Sequence, residues 1–102
     1  MIHELKCHPE PFEAKWLNKK NWEIRKNDRN FQVGDILIEK WFSPVANNGT
    51  GAYDGTEIHE EVLWILPEGY GLKKGFIIMS TKQLKRVRIM NGERQEFTEP
   101  YN

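Results

Sequence analysis

Alternation of apolar and polar positions divides this chain into short extended segments with one early helical stretch. Residues 2–6 predict a strand. Pro9 and Pro11 then punctuate a turn, and Pro11 suits a first helical turn, where its missing N–H costs nothing. Over residues 11–18, Phe12 and Trp16 stand four apart, as do Glu13 and Leu17. That spacing predicts a short helix with Phe12, Trp16 and Leu17 towards the core and Lys15 and Lys19 towards solvent. Residues 22–26 alternate, which places Trp22, Ile24 and Lys26 on one strand face and Glu23 and Arg25 on the other.

Further strands are predicted at residues 36–42, at 57–66 with Ile58, Val62, Trp64 and Leu66 in one parity, and at 76–80. Residues 85–90 and 93–98 flank Asn91-Gly92, the favoured two-residue hairpin turn. Residues 43–56 hold Pro44, Asn47, Asn48, Gly49, Gly51 and Gly55, and are expected to form a long mobile loop between antiparallel strands. The expected fold is therefore mainly β (α+β): a small antiparallel β-barrel with one N-terminal helix and a C-terminal hairpin extension. Closing the sheet is one way for so small a domain to avoid exposed edges.

The length, 102 residues, suits a single domain spanning 1–102. Lys and Arg together number 15, as do Asp and Glu, so the general field that drives non-specific nucleic-acid binding is missing and any such binding needs a patch. Cys7 is the single cysteine, which excludes an internal disulfide and suits a reducing compartment. The first residues carry charge without a long apolar run, so no signal peptide is expected, and no stretch is apolar for long enough to cross a membrane as a helix. The expected location is the cytoplasm.

One patch stands out. Residues 19–29 hold Lys19, Lys20, Arg25, Lys26 and Arg29 against Glu23 and Asp28, with Trp22 among them. Arginine's fork fits phosphate and guanine, and an exposed tryptophan offers a base a stacking face. These residues, Lys19, Lys20, Trp22, Arg25, Lys26 and Arg29, form the candidate nucleic-acid site. The plainer reading is a solvated strand with Glu23 and Arg25 paired across the sheet and Trp22 packed in the core. Trp16 and Trp64 follow apolar faces and are expected in the core. Lys82, Lys85, Arg86 and Arg88 form a second basic run, read as a solvated edge strand. His3, Cys7, His8 and His59 lack paired metal-ligand spacing, so neither a metal nor another cofactor is expected, and Cys7 reads as a small packed residue.

The order Lys20, Glu23, Arg25, then Val33-Gly34-Asp35 and a strand resembles the ASCH domain family of the PUA-like superfamily. The longer string from Glu23 through Arg29 to Phe31 is similar to a subgroup of short bacterial and phage ASCH proteins. The resemblance covers about residues 2–80 and leaves about 81–102 as an extension. It implies a small barrel with a cleft beside the helix, lined by residues 20–25, and an association with RNA. One ASCH branch comprises amidohydrolases acting on N-acetylcytidine, in which the motif lysine activates a threonine three residues later, assisted by a distant glutamate. Lys20 matches that lysine, whereas Glu23 stands at the threonine position and cannot be the same hydroxyl nucleophile. Glu60, Glu61 and Glu68 all lie where the assisting glutamate would fall.

The expected function is a small module that binds RNA or a nucleotide in a basic cleft at the helix–strand junction. A small amidohydrolase acting on a modified nucleoside, with Lys20 and Glu23 as catalytic candidates, is the alternative from a different class, Glu23 then serving as a base for water. A protein-interaction or inhibitor module is the third, with residues 43–56 and the C-terminal hairpin as its surfaces.

Overall fold

A computed structural model describes residues 1–98. The elements run β1 (Ile2–Cys7), α1 (Pro9–Trp16), β2 (Trp22–Lys26), β3 (Ile36–Ser43), β4 (Ala52–Leu66), β5 (Phe76–Met90) and β6 (Glu93–Phe97). The fold is mainly β with one helix, as the residue patterning predicts. The strands form a single sheet in the order β1-β3-β4-β5-β2, with β6 added to the far half of β5. β1 and β3 are parallel and the remaining pairs antiparallel.

The sheet curls into a half-barrel whose edges are β1 and β2. Those edges are joined by side chains: Arg25 Nη2 donates to the Lys6 carbonyl at 2.8 Å, and Arg29 Nη1 donates to the Glu4 carbonyl at 2.8 Å. Two arginines from the β2 side thus satisfy acceptors that an edge strand would otherwise present to solvent or to another chain.

Inside the curl, Leu5, Phe31, Leu37, Val62, Ile77 and Met79 make one apolar cluster. Cys7, Phe12 and Ile58 make a second, with Trp16 and Trp41 against it. Leu37, Ile58, Val62 and Met79 are fully enclosed, each worth about 1.5–3 kcal/mol of burial. The helix sits over the second cluster through Phe12. Its C-terminus closes with Asn18 at φ 58°, Lys19 N donating to Ala14 O at 2.8 Å and Asn18 N to Lys15 O at 2.9 Å. This paired pattern ends a helix abruptly and returns the chain towards β2. Gln83 Nε2 fastens the same turn to β5 through the Lys15 carbonyl at 3.0 Å.

Four expectations need correction. The loop predicted over 43–56 is shorter, because β3 continues to Ser43 and β4 begins at Ala52, with Ser43 facing Ala52 and Phe42 facing Tyr53. Gly51 admits the Phe42 ring so closely that a Cβ there would lie 2.4 Å from Cζ, which ties the loop's exit to the strand before it. The two strands predicted over 76–90 are one continuous β5. Trp64 is not in the core: a register shift between Val62 and Trp64 inverts the parity of β4. Val62 points inward, Ile65 packs against the core, and Trp64 is 58% exposed. The fourth correction concerns Arg86, expected to be solvated. It is buried, with its guanidinium 4.9 Å above the Trp16 ring, and Trp16 itself is only partly buried.

The inverted parity makes a stability prediction. Trp64→Ala should change unfolding free energy by about 0.5 kcal/mol or less, as for an ordinary surface position, whereas Leu37→Ala should cost about 2–5 kcal/mol. Urea unfolding of both variants checks this. A Trp64→Ala loss as large as that of Leu37→Ala would return Trp64 to the core.

Candidate functional site

Successive strands bring charged side chains, instead of apolar ones, to the inner face at the helix end of the curl. Glu23 comes from β2, Glu39 from β3 and Glu60 from β4, and all three are buried. Lys15, from the last turn of α1, is 1% exposed and sits among them. It was expected towards solvent, because four-residue spacing identifies the apolar stripe of a helix but not an inward lysine with buried partners.

Lys15 Nζ lies 3.0 Å from each oxygen of Glu60 and 3.2 Å from Glu23 Oε2, and donates to the Trp22 carbonyl at 3.2 Å. Lys20 Nζ donates to Glu23 Oε2 at 3.0 Å. On the other side, Arg25 Nε donates to Glu23 Oε1 at 3.1 Å and its Nη2 to Glu39 Oε1 at 2.9 Å. Glu23 is therefore the hub, with one oxygen shared by two ammonium groups and the other bound by the guanidinium.

These contacts set the protonation states. Burial alone would push the Glu23 carboxyl up, but Lys15, Arg25 and Lys20 outweigh it and hold the group below its usual value. Glu39 goes the other way: burial, reinforced by the Glu23 charge, pushes it up to about 8 despite Arg25. Glu60 is also raised by burial, with Lys15 opposing. At neutral pH Glu39 is thus mostly protonated, which lowers the negative charge facing Lys15, Lys20 and Arg25. One oxygen from each of Glu23, Glu39 and Glu60 lies within 4.8 Å of the others. Three carboxylates suit a divalent cation by donor type, but here the Lys15 ammonium and the Arg25 guanidinium already supply the neutralising charge. Cys7 borders the cluster, and burial, then Glu39 and Glu23, push its thiol up to about 12, which disfavours a thiolate nucleophile.

Above the cluster the surface opens. A cleft of about 290 Å³ is lined by Lys6, Cys7, His8, Lys20, Trp22 and Arg25, among others. A neighbouring cleft of about 490 Å³ shares Lys6 and Arg25 and continues past Arg29, Lys40 and Tyr53. Trp22 is 45% exposed at the lip, with Lys20 Nζ 4.5 Å above its ring. Of the six candidate binding residues, the structure brings Lys20, Trp22 and Arg25 to the first cleft and Arg29 to the second. Lys19 is exposed beyond the helix end, and Lys26 lies on the outer face of β2. Glu23, a catalytic candidate, lies at the floor. Lys15, Glu39 and Lys6 are the residues that the patterning missed. Glu39 looks like a solvent-side residue of an apolar strand, and its only sequence signal is that it shares parity with Leu37. Of the three glutamates at the assisting position, Glu60 joins the cluster, whereas Glu61 stands opposite Lys82 and Glu68 caps the Gly75 amide.

Comparison with known proteins places this geometry in a family. Residues 2–81 match DUF3850, a domain of unknown function, and the chain belongs to that family. A curated relative is the uncharacterized 12.9 kDa protein in the GpA 3′ region of Escherichia phage P2, 44% identical over 45 residues. That alignment covers 43% of this chain and 41% of the phage protein, so the chain spans about two-fifths of that relative's length. Among the described residues, no helix is long and apolar enough to cross a membrane.

The cluster makes two predictions. Lys15→Met leaves Glu60 and Glu23 without their central cation and should cost about 3–5 kcal/mol, part of it recovered by adding Glu60→Leu. Denaturant unfolding reads both, and a parent-like Lys15→Met would remove the cluster from the fold's requirements. The second concerns pH. The folded pKa of Glu39 is raised from 4.5 to about 8, so across that window the native state holds more protons than the unfolded chain and stability falls as pH rises. Glu39→Gln removes that contribution. The melting temperature of the parent should therefore drop relative to the variant between about pH 5 and 8, and parallel curves would refute a protonated Glu39.

Proposed function

We propose that this chain is an ASCH-type, PUA-like module that binds RNA or a nucleotide in the cleft at the β1–β2 seam, acting in the cytoplasm. The observation that carries the reading is the pairing of an exposed Trp22 with an open, cation-rimmed groove. Lys6, Lys20, Arg25, Arg29 and Lys40 line the two joined clefts, together with two carboxylates, Glu23 at the floor of the first and Glu4, ion-paired with Lys40 at 2.9 Å, in the second. A tryptophan face offers stacking to any base, and lysines and arginines offer charge to the phosphates that follow it. Net neutrality of the chain confines this attraction to the groove, so recognition there depends on local geometry more than on a general field.

For Glu23 and Cys7 the protonation states fit a binding role better than hydrolysis. A general base for water works best near the operating pH. Glu23 is held below its usual value with both oxygens engaged by cations, which weakens it as a base. Cys7 is pushed the wrong way for a nucleophile.

The test is binding of short single-stranded RNAs and nucleotides across a salt series. Affinity for RNA should fall with salt at a log–log slope of about 0.7 per phosphate neutralised. Lys20→Gln and Arg29→Gln should weaken binding and flatten that slope, whereas Trp22→Ala should cost about 1–3 kcal/mol with the slope unchanged. A folded parent that binds no RNA or nucleotide at low salt ends the proposal. Turnover of an acylated nucleoside that disappears in Lys20→Gln would replace it with the amidohydrolase reading.

A further inference from the structure

The outer face of the sheet carries an apolar patch that the fold does not use. Trp22 and Trp64 both pair with Ser80 from opposite sides, so the three residues form one row across β2, β5 and β4 and share a face. The next row is Ile24, Ile78 and Leu66, and Phe76 continues the face beside Lys26. Trp22 and Ile24 are each 45% exposed and Trp64 58%. The parity shift at Val62/Trp64 is what turns the indole outward. Strands lie about 4.8 Å apart, which sets the two tryptophan backbones about 10 Å apart with only the small Ser80 between them.

From this we propose that Trp64 is a second base-stacking position, and that the ligand is a single-stranded nucleic-acid segment long enough to reach it from the cleft. This rests on the nucleic-acid reading above and narrows it, because a free nucleotide would engage the Trp22 side alone. Two features of the patch select this occupant. First, the patch is continuous with the cleft, since Trp22 belongs to both. Second, its border is basic: Lys20 stands over Trp22, Lys26 and Lys82 lie on the same face at its two ends, and Lys73 Nζ is 5.8 Å from the Phe76 ring. Carboxylates at this border are Glu61, opposite Lys82, and Glu68, which accepts from Gly75 N beside Phe76. An isologous dimer would set this rim of lysines against itself, whereas a polyanion complements it. Adjacent unstacked bases can take one indole each, with the backbone following the lysines.

The experiment compares a short labelled single-stranded oligoribonucleotide with a labelled mononucleotide, by anisotropy at low salt, on the whole chain. Trp64→Ala should weaken the oligonucleotide roughly 5- to 150-fold, leave the mononucleotide unchanged and leave the salt slope unchanged. Trp64→Phe should restore most of the loss. If Trp64→Ala binds the oligonucleotide as the parent does while Lys20→Gln weakens it, the outer platform is overturned and the cleft survives. If the parent binds neither probe, the cleft reading falls and the platform with it. Sedimentation of the parent as a dimer that Trp64→Ala makes monomeric would give the face to a second copy instead.

Discussion

The Lys15 ammonium, enclosed by Glu60 and Glu23, is the contact on which the rest of the structure depends. It joins the helix to β4 and β2 at the point where apolar packing gives out. Desolvating an ammonium and several carboxylates costs several kcal/mol per ion, and their attraction repays it only where geometry and hydrogen bonding are complete. Here they are nearly so. Glu60 is met by Lys15 at both oxygens, and Glu23 is met from both sides. Glu39 meets the remaining cost by staying protonated, because burial and the nearby Glu23 charge outweigh the Arg25 guanidinium bonded to it. Apolar residues would hold these strands more cheaply. What an ionic interior adds is direction: Arg25 and Lys20 are fixed at one carboxylate and present their remaining surface to the cleft.

The same arginine closes the barrel. Backbone pairing stops at β1 on one side and β2 on the other, and Arg25 spans the gap to the Lys6 carbonyl while bonded to Glu39 and Glu23 behind it. The cleft is thus the unpaired seam of the sheet. A fully hydrogen-bonded barrel would have no groove here, and an open sheet would leave the edge strands exposed to pairing with other chains. Side-chain closure avoids both outcomes and leaves cationic groups along the groove.

Much of the architecture was legible because it follows period and turn chemistry. The alternation in 22–26 gave the two faces of β2, and Asn91-Gly92 gave the last hairpin, where Asn91 takes φ 53° and Gly92 φ 78°. Errors came where one physical rule overrode another. A single register shift sent Trp64 outward, and such a shift has no signature in hydrophobic parity alone. Residues 52–56 look like loop by glycine content yet belong to β4, where Ala52 and Tyr53 pair with Ser43 and Phe42 and the Phe42 and Tyr53 rings pack across the turn, 5.0 Å between centroids. The candidate site was legible in part. Positive charge and Trp22 marked the right junction, but the carboxylates beneath it come from strands far apart in sequence. Only the fold could show that Glu39 and Glu60 share one interior with Glu23.

β2 explains why the site and the fold cannot be separated. Its five residues divide between two environments, with Glu23 and Arg25 inward to the ionic cluster and Trp22, Ile24 and Lys26 outward. An ordinary edge strand packs its apolar side against the core and gives its charges to water. Here the arrangement is reversed, because the space behind β2 is already filled by Lys15 and Glu60 and offers ion pairing in place of apolar contact. Once the charged side faces inward, alternation puts Trp22 and Ile24 in solvent. The exposed aromatic face is thus the geometric consequence of burying Glu23. A substitution that made the inner face apolar would remove the reason for the outer one.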